Sequence, residues 1–341
     1  MDIKKIQEIL KDEPKFRIKQ VYEAIFQKFV ENWDEVTVLP LALREKLKTE
    51  APLDIEAEIF ESTDKKTVKA VISLNRGVIE SVLMRHEDRN TVCISSQMGC
   101  KMACLFCLTG QGGFTRNLDY YEIVEQVLFF ERYLRQNPLE EVDGLVSGRV
   151  SNVVFMGMGE PFANYDEVMK AIRFLNDKET FNIGARKISV STVGLIDGIK
   201  KFANEPLQIN LALSLHAPND DIRHLIMPIS RNHPLPNLLR VVSDYIKKTN
   251  RKAMIEYLLL KDINDDENSA HELAFVLKKY LGRLFVVNLI AYNQTETYKP
   301  SSQETAEAFK KVLVEEGLEV VERFRFGRDI KGACGQLRKG K

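Results

Sequence analysis

The spacing of apolar positions changes character along the chain. Near the start, FRIKQVYEAIFQKF places Phe16, Val21, Ile25 and Phe26 at roughly helical intervals, which predicts short helices over residues 1–50. Over residues 51–88 the runs become short and β-branched. TVKAVISL and GVIESVLM flank Asn75, Arg76 and Gly77, the composition of a turn, and predict a small antiparallel insert. From residue 89 to 341 short apolar strands alternate with longer amphipathic helices. The strands are TVCIS, SNVVFMG, KISVST, INLALSL, AMIEYLLL and LFVVNLIAY, and the helices begin near Asp119, Asn164, Leu195, Pro234, Asp266 and Ser301. The first helix is the clearest: Tyr120, Ile123, Val124, Val127 and Leu128 share one face, and Asp119 with Glu122 has the spacing of a capping box. Such alternation predicts an α/β protein with parallel strands and right-handed crossovers. Six units are too few for a closed eight-stranded barrel, so the expected architecture is a partial, open (βα)6 barrel. Its chemistry is expected beyond the carboxyl ends of the strands.

Composition narrows the setting. The chain has 341 residues, 44% of them hydrophobic, enough for a substantial core. The charged start MDIKKIQEILKD lacks the apolar region of a secretory signal, and no run of about 18 apolar residues is present. A cytoplasmic protein is expected, with no membrane partner. In that compartment five cysteines point to metal or redox chemistry rather than to structural disulfides. Lys plus Arg and Asp plus Glu are equal at 49 each, so the whole chain shows no basic footprint for nucleic acid. Only the stretch from Glu322 to Lys341 is locally basic, with seven cationic against two acidic residues.

Four of the five cysteines lie in CISSQMGCKMACLFC, from Cys93 to Cys107. Cys100, Cys104 and Cys107 form C-x-x-x-C-x-x-C directly after the first strand of the alternating region. A structural zinc site wants four ligands, usually from paired knuckles, and no second C-x-x-C is present. A cubane iron–sulfur cluster normally takes four thiolates, so three would leave one iron open to another ligand. A buried or zinc-binding trio is the plainer alternative.

This spacing, in this strand–loop context, resembles the radical S-adenosylmethionine (SAM) superfamily. More specifically, TVCISSQMGC, TRNL, VFMGMGEP, STVG, SLHAPND, NLIAYN and ACGQL resemble, in order, the RlmN family of dual-specificity RNA methyltransferases. The resemblance runs over essentially the whole chain. It implies that residues 1–50 are a helical RNA-binding-like accessory module, and that residues 89–341 are a radical SAM barrel ending in a methyl-carrier loop. It also implies a [4Fe-4S] cluster on Cys100, Cys104 and Cys107, SAM as cofactor, and 2-methyladenosine in 23S rRNA, and in some members tRNA, as product. An electron donor such as a flavodoxin or ferredoxin is an implied partner, and a monomer is expected.

The same resemblance implies roles for individual residues. Cys334, in GACGQL, would carry a methyl group taken from one SAM; its neighbours Gly332, Ala333 and Gly335 suit a loop that approaches a cofactor closely. Cys93 would attack the sulfur of Cys334, forming a transient disulfide and freeing the methylated base. On an extended strand Cys93 points opposite to Val92 and Ile94, which allows it to face the barrel interior. Glu80, in IES, would be the base that removes the C2 proton. Gly159, Glu160, Ser191, Ser214, Leu215, His216 and Asn293 would contact SAM, and they cluster at expected strand ends.

Some positions depart from the family pattern. Gln294 stands where proline is common, and PFAN follows Glu160 in place of a leucine-rich form. FRFG before Arg328 leans toward the relative Cfr, which methylates C8 of the same rRNA adenosine, whereas Pro161 leans toward the C2 enzymes. Two further readings compete. One is a radical SAM enzyme acting on a protein or small molecule. The other is an electron-transfer or cluster-sensing protein without methyl chemistry.

Overall fold

The computed structural model describes residues 1–138, 148–295, 297–323 and 327–338. Part of the basic tail, including Phe324 to Phe326 of FRFG, therefore lies outside the described residues. The chain opens with helices Ile3–Ile9, Lys15–Phe26 and Leu41–Glu50. Antiparallel strands β1 (Ala57–Glu61), β2 (Thr67–Leu74) and β3 (Gly77–Arg85) follow. The β2–β3 turn falls at Asn75 and Arg76, and Arg76 adopts φ 74°.

The strands expected from residue 89 onward are all present. They are β4 (Asn90–Cys93), β7 (Asn152–Phe155), β8 (Ile188–Thr192), β9 (Asn210–Ser214), β10 (Ala253–Leu259) and β11 (Phe285–Ala291), parallel throughout. A short β12 (Val320–Glu322), absent from the sequence reading, adds to the far edge. Strands β5 (Gln97–Gly99) and β6 (Phe114–Asn117) form a separate hairpin around the cysteine loop.

One ten-stranded sheet results, in the order β1-β2-β3-β4-β7-β8-β9-β10-β11-β12. The early antiparallel strands are not an appendage: β3 pairs with β4, Val82 opposite Cys93, so they continue the barrel sheet. The sheet curls. Side chains from Val82 on β3 to Val321 on β12 line a single interior cavity, which a flat sheet of this width could not enclose. The order ends at β1 and β12 without closing, so the barrel is partial and open.

Helices begin where the caps direct them. Glu122 returns to the backbone N–H of Asp119 (2.9 Å) at the start of helix Tyr120–Gln136, while the Asp119 carboxylate is taken by Tyr121 and Lys4. Asp266 caps Glu267–Leu281 through Ser269 N–H (2.6 Å), and Ser302 caps Gln303–Glu315 through Thr305 N–H (3.0 Å).

The N-terminal helices bury their apolar face against the outside of the barrel. Phe26 meets Phe174 edge-on with ring centroids 4.8 Å apart, and Ile3 and Phe26 belong to the same continuous core as Val190 and Leu213. Arg132, buried beneath them, donates to the carbonyls of Leu53 and Val30, which joins the two layers through otherwise unpaired backbone acceptors. No described helix is long and apolar enough to cross a membrane.

Candidate active site

The cysteine loop is shaped by backbone conformations that few residues accept. Gly99 sits at φ 80°, and a Cβ there would lie 2.0 Å from the carbonyl oxygen of Gly113. Cys100 N–H donates to that same oxygen (2.9 Å), so the hairpin closes directly behind the first cysteine. Cys107 N–H donates to Cys104 O (3.1 Å), and Leu105 N–H to Ile226 O (3.0 Å). The loop thus projects all three thiols into one cavity at the carboxyl ends of the strands.

The electrostatics of the trio favour a polyvalent cation. Burial pushes the Cys100 thiol up to about 12, and Cys104 is also held well above its ordinary value, first by burial and then by Cys107 and Cys100. Burial makes the Cys100 and Cys104 thiols resist ionisation until a metal supplies compensating charge. Among the described residues no three Cys, His, Asp or Glu side chains close on a single ion. Three thiols lining one cavity at the strand ends are a donor set that could hold an iron–sulfur cluster with one iron left open.

The rest of this cavity is a polar cradle. Gly157 and Gly159 leave room that side chains would fill: a Cβ on Gly159 would lie 2.6 Å from the Gln97 side chain, and one on Gly157 2.7 Å from Ile94 O. Glu160 is buried, with its carboxylate accepting from Phe162 N–H (3.0 Å) and Val193 N–H (2.9 Å). Burial pushes its carboxyl up to about 7 despite those donors, so it would gain from a cationic amine placed beside it. Ser191 and Ser214, at the ends of neighbouring strands, have their hydroxyls 3.1 Å apart. His216 is buried at φ 59°, its Nδ1 accepting from Leu258 N–H (3.2 Å); burial pushes it down to about 3, so it is neutral.

Of the residues expected to contact SAM, Gly159, Glu160, Ser191, Ser214 and His216 line this cavity together with the cysteine trio. Leu215 and Asn293 do not. Leu215, one residue past the end of β9, is fully buried in the core. Asn293 lines a second cavity inside the barrel and donates through Nδ2 to Cys334 O (3.2 Å).

That second cavity holds the outer cysteines. Cys93 lines it from β4, buried and accepting from Met156 N–H, with burial pushing its thiol up to about 12. Cys334 is exposed and borders both cavities. All five cysteines are free thiols here, so no disulfide joins Cys93 to Cys334 in this state. The segment carrying Cys334 is pinned across the mouth. Leu108 N–H donates to Gly335 O (2.9 Å), and the Thr109 hydroxyl to Leu337 O (2.7 Å).

Glu80 lines neither cavity. It is buried on β3, 3.4 Å from Lys69 Nζ, and its Oε2 accepts from Arg338 N–H (2.9 Å) at the end of the carrier segment.

Several site residues escaped sequence reasoning. Glu256, Asn288, Met156 and Arg323 line the barrel interior between the two sets of cysteines. A charged residue in the middle of AMIEYLLL was the available signal for Glu256, because an acid in a strand buried on both faces needs a partner. Arg323 gave no signal, since β12 is three residues long.

The profile of the Radical SAM superfamily matches residues 94–274. A probable dual-specificity RNA methyltransferase RlmN of Chloroflexus aurantiacus is 44% identical over 333 residues, 95% of this chain and 87% of that protein. The protein of the same description from Bacillus pumilus is 43% identical over 331 residues, 96% of this chain and 89% of its own. That of Dictyoglomus thermophilum is 40% identical over 99% of this chain and 95% of its own length. Among solved structures, a radical SAM methyltransferase from Sphaerobacter thermophilus superposes with a TM-score of 0.91 at 37% identity, covering 100% of this chain and 98% of that one.

Proposed function

This chain belongs to the RlmN family of radical SAM RNA methyltransferases, and we propose that it forms 2-methyladenosine in RNA by way of a methyl group carried on Cys334. The observation that carries the reading is the position of Cys334. One sulfur borders both the cavity of the cysteine trio and the cavity of Cys93. A carrier must face a methyl donor on one side and a resolving thiol on the other. Neither a cluster sensor nor an electron carrier has use for that arrangement.

In this reading Cys100, Cys104 and Cys107 hold a [4Fe-4S] cluster, and Gly159, Glu160, Ser191, Ser214 and His216 hold SAM. Together these cofactors supply a methyl group and, on one-electron reduction, a hydrogen-abstracting radical. Everything else falls to the chain. Glu160 orients a cationic amine with its buried carboxylate. The glycines at 157 and 159 permit close approach of the backbone. Cys334 takes the methyl on sulfur and then presents it to the base; loss of one hydrogen atom from that methyl lets its carbon bond to C2, and loss of the C2 proton and of one electron, which the cluster would take back, leaves the RNA tied to the protein through a methylene bridge. Glu80 accepts the C2 proton; its contact with Arg338 N–H supports the role by joining the carboxylate to the carrier segment.

Cys93 then attacks Sγ of Cys334. A sulfur–sulfur bond forms, the sulfur–carbon bond breaks, and its electron pair goes to the methylene carbon, which is protonated to methyl. The enzyme is left with a disulfide that an external reductant must reopen. The locally basic C-terminal stretch and the N-terminal helices are the elements proposed to contact RNA phosphates. The substrate in this reading is 23S rRNA, with tRNA as the second candidate, and the electron donor is a flavodoxin or ferredoxin.

Mass spectrometry of RNA nucleosides from cells with and without the protein tests the assignment. A 2-methyladenosine signal lost on deletion is expected. An 8-methyladenosine signal in its place would move the chain to Cfr-type chemistry, and no change in either would refute RNA methylation.

A further inference from the structure

A half-buried cation lines the same cavity as the two outer thiols. Arg323 follows β12 and points into the barrel, where it borders both cavities along with Cys334 and Glu256, while Cys93 closes the second from the opposite wall. Its own N–H donates to Leu289 O (3.0 Å), which anchors the backbone to β11. One guanidinium nitrogen lies 3.0 Å from the Met156 sulfur, and Met156 in turn donates its N–H to Cys93. The other lies 3.7 Å from Glu256 Oε2, longer than a hydrogen bond, and that oxygen has no hydrogen-bond partner. Asn288 Nδ2 holds the second Glu256 oxygen at 2.9 Å.

Arg323 is thus incompletely neutralised. Its carboxylate partner is tethered to Asn288 and stands off, and Cys93 and Cys334 line the same cavity. The guanidinium is held even more firmly protonated than usual, chiefly by Cys334, then by Glu256 and Cys93. Among the described residues, the other charged or titratable groups around this space are His86 and Arg89 from the β3–β4 turn, Glu322 beside Arg323, and, in the first cavity that Arg323 and Cys334 also border, Glu160, His216, Tyr292 and the cysteine trio. His86 is pushed down by burial and by its two arginine neighbours, so it adds no cation near neutral pH.

We propose that Arg323 is a positioning residue that serves as the shared counter-cation of the outer thiols, stabilising the thiolate on Cys334 when it accepts the methyl group and on Cys93 when it attacks. The inference rests on the carrier reading of Cys334, but its test does not. Methyl transfer forms a sulfur–carbon bond as the donor's sulfonium carbon–sulfur bond breaks, and the thiol proton leaves for solvent. A nearby guanidinium favours both proton loss and the ionised nucleophile. Resolution needs the same help at Cys93, whose burial opposes ionisation. One fixed charge in the cavity the two thiols share serves each in turn, because alkylation of Cys334 removes its own claim on the cation.

Alkylation of the reconstituted enzyme by iodoacetamide, read by peptide mass spectrometry at Cys334 across pH 6–10, tests the charge without turnover. Arg323→Met should slow Cys334 alkylation about tenfold at pH 7.5 and move its midpoint upward by about one unit. Arg323→Lys should restore most of the difference. Glu256→Gln, which removes the competing anion, should move the midpoint the opposite way. Opposite signs distinguish a charge effect from a general loosening of the barrel, which would speed alkylation in both variants. An unchanged midpoint in Arg323→Met, or shifts of the same sign in Arg323→Met and Glu256→Gln, would overturn the proposal. If it holds while no RNA is methylated, the counter-cation role survives and the carrier reading fails.

Discussion

The cluster trio and the outer pair use the same side chain in opposite ways. Cys100, Cys104 and Cys107 come from one loop, and short-range contacts shape it: Gly99 against Gly113, and Cys107 N–H on Cys104 O. Cys93 and Cys334 come from the first parallel strand and the C-terminal segment, and only the curled sheet brings them to one cavity. A cofactor site needs ligands held in fixed mutual geometry, which a short loop supplies most cheaply in conformational entropy. In the proposed reading, a carrier and its resolving partner must react with each other and also with other molecules, so one of them has to sit on a segment that can approach and withdraw. Cys93 is rigid and buried, while Cys334 is exposed on a strap pinned by a few hydrogen bonds.

The sharpest test of that contrast removes one group and watches the other. Changing Cys104 to Ala should abolish cluster assembly and SAM cleavage outright, since two thiolates hold a cubane poorly. The Cys93→Ala, Cys334→Ala double variant should still bind about four irons and cleave SAM on reduction. Iron loss in the double variant would break the comparison, because it would make the outer pair part of the cluster site.

Within the outer pair the two losses should differ in kind. Cys334→Ala should neither take up a methyl group nor form an RNA adduct. Cys93→Ala should accumulate protein covalently tied to RNA, seen on denaturing gels with labelled RNA as a shifted band that nuclease removes. Normal turnover by Cys93→Ala would refute the resolving role, and an adduct formed by Cys334→Ala would refute the carrier.

A smaller effect probes the loop's local self-sufficiency. Gly99→Ala places a Cβ 2.0 Å from Gly113 O at φ 80°, a strain on the order of 1–3 kcal/mol. Iron content after reconstitution should drop, while the alkylation rate of Cys334 in the apoprotein stays near wild type. Equal losses in both would show that the two regions are not independent.

The smallest effect lies away from both. Glu131 is fully buried beside Arg149, and burial pushes its carboxyl up to about 7. Between its ordinary value and 7 the folded chain binds more protons there than the unfolded chain, so this contribution to stability is present at acid pH and lost as pH rises through about 7. Thermal melts from pH 5 to 8 should show Glu131→Gln flattening that fall, by at most about 1.4 kcal/mol per pH unit. An unchanged pH dependence instead would mean that Arg149 keeps the carboxylate ionised across this range.

Much of the barrel was legible because its strands are apolar runs and its helices have sequence-coded caps. Asp119, Asp266 and Ser302 mark three helix starts within a residue or so of expectation. Short elements were not: β12 and helix Asp220–Ile226 exist because the sheet edge and the cysteine loop provide partners, as Leu105 N–H on Ile226 O illustrates. The cavity lined by Asn293 and its hydrogen bond to the Cys334 carbonyl were likewise not legible from its place near a strand end.

By itself the sequence determined the alternation that dictates a parallel α/β fold, the cysteine trio, and the order of motifs that marks the family, because each depends on residues close together in the chain. Only the tertiary structure decided that β1–β3 extend the barrel sheet, that Cys334 borders two cavities, and that Arg323, Glu256 and Asn288 line the same cavity as the outer thiols. Those contacts join strands far apart in sequence. Their geometry is set by how far the sheet curls and where the last segment crosses it, which no local pattern of apolar and polar residues encodes.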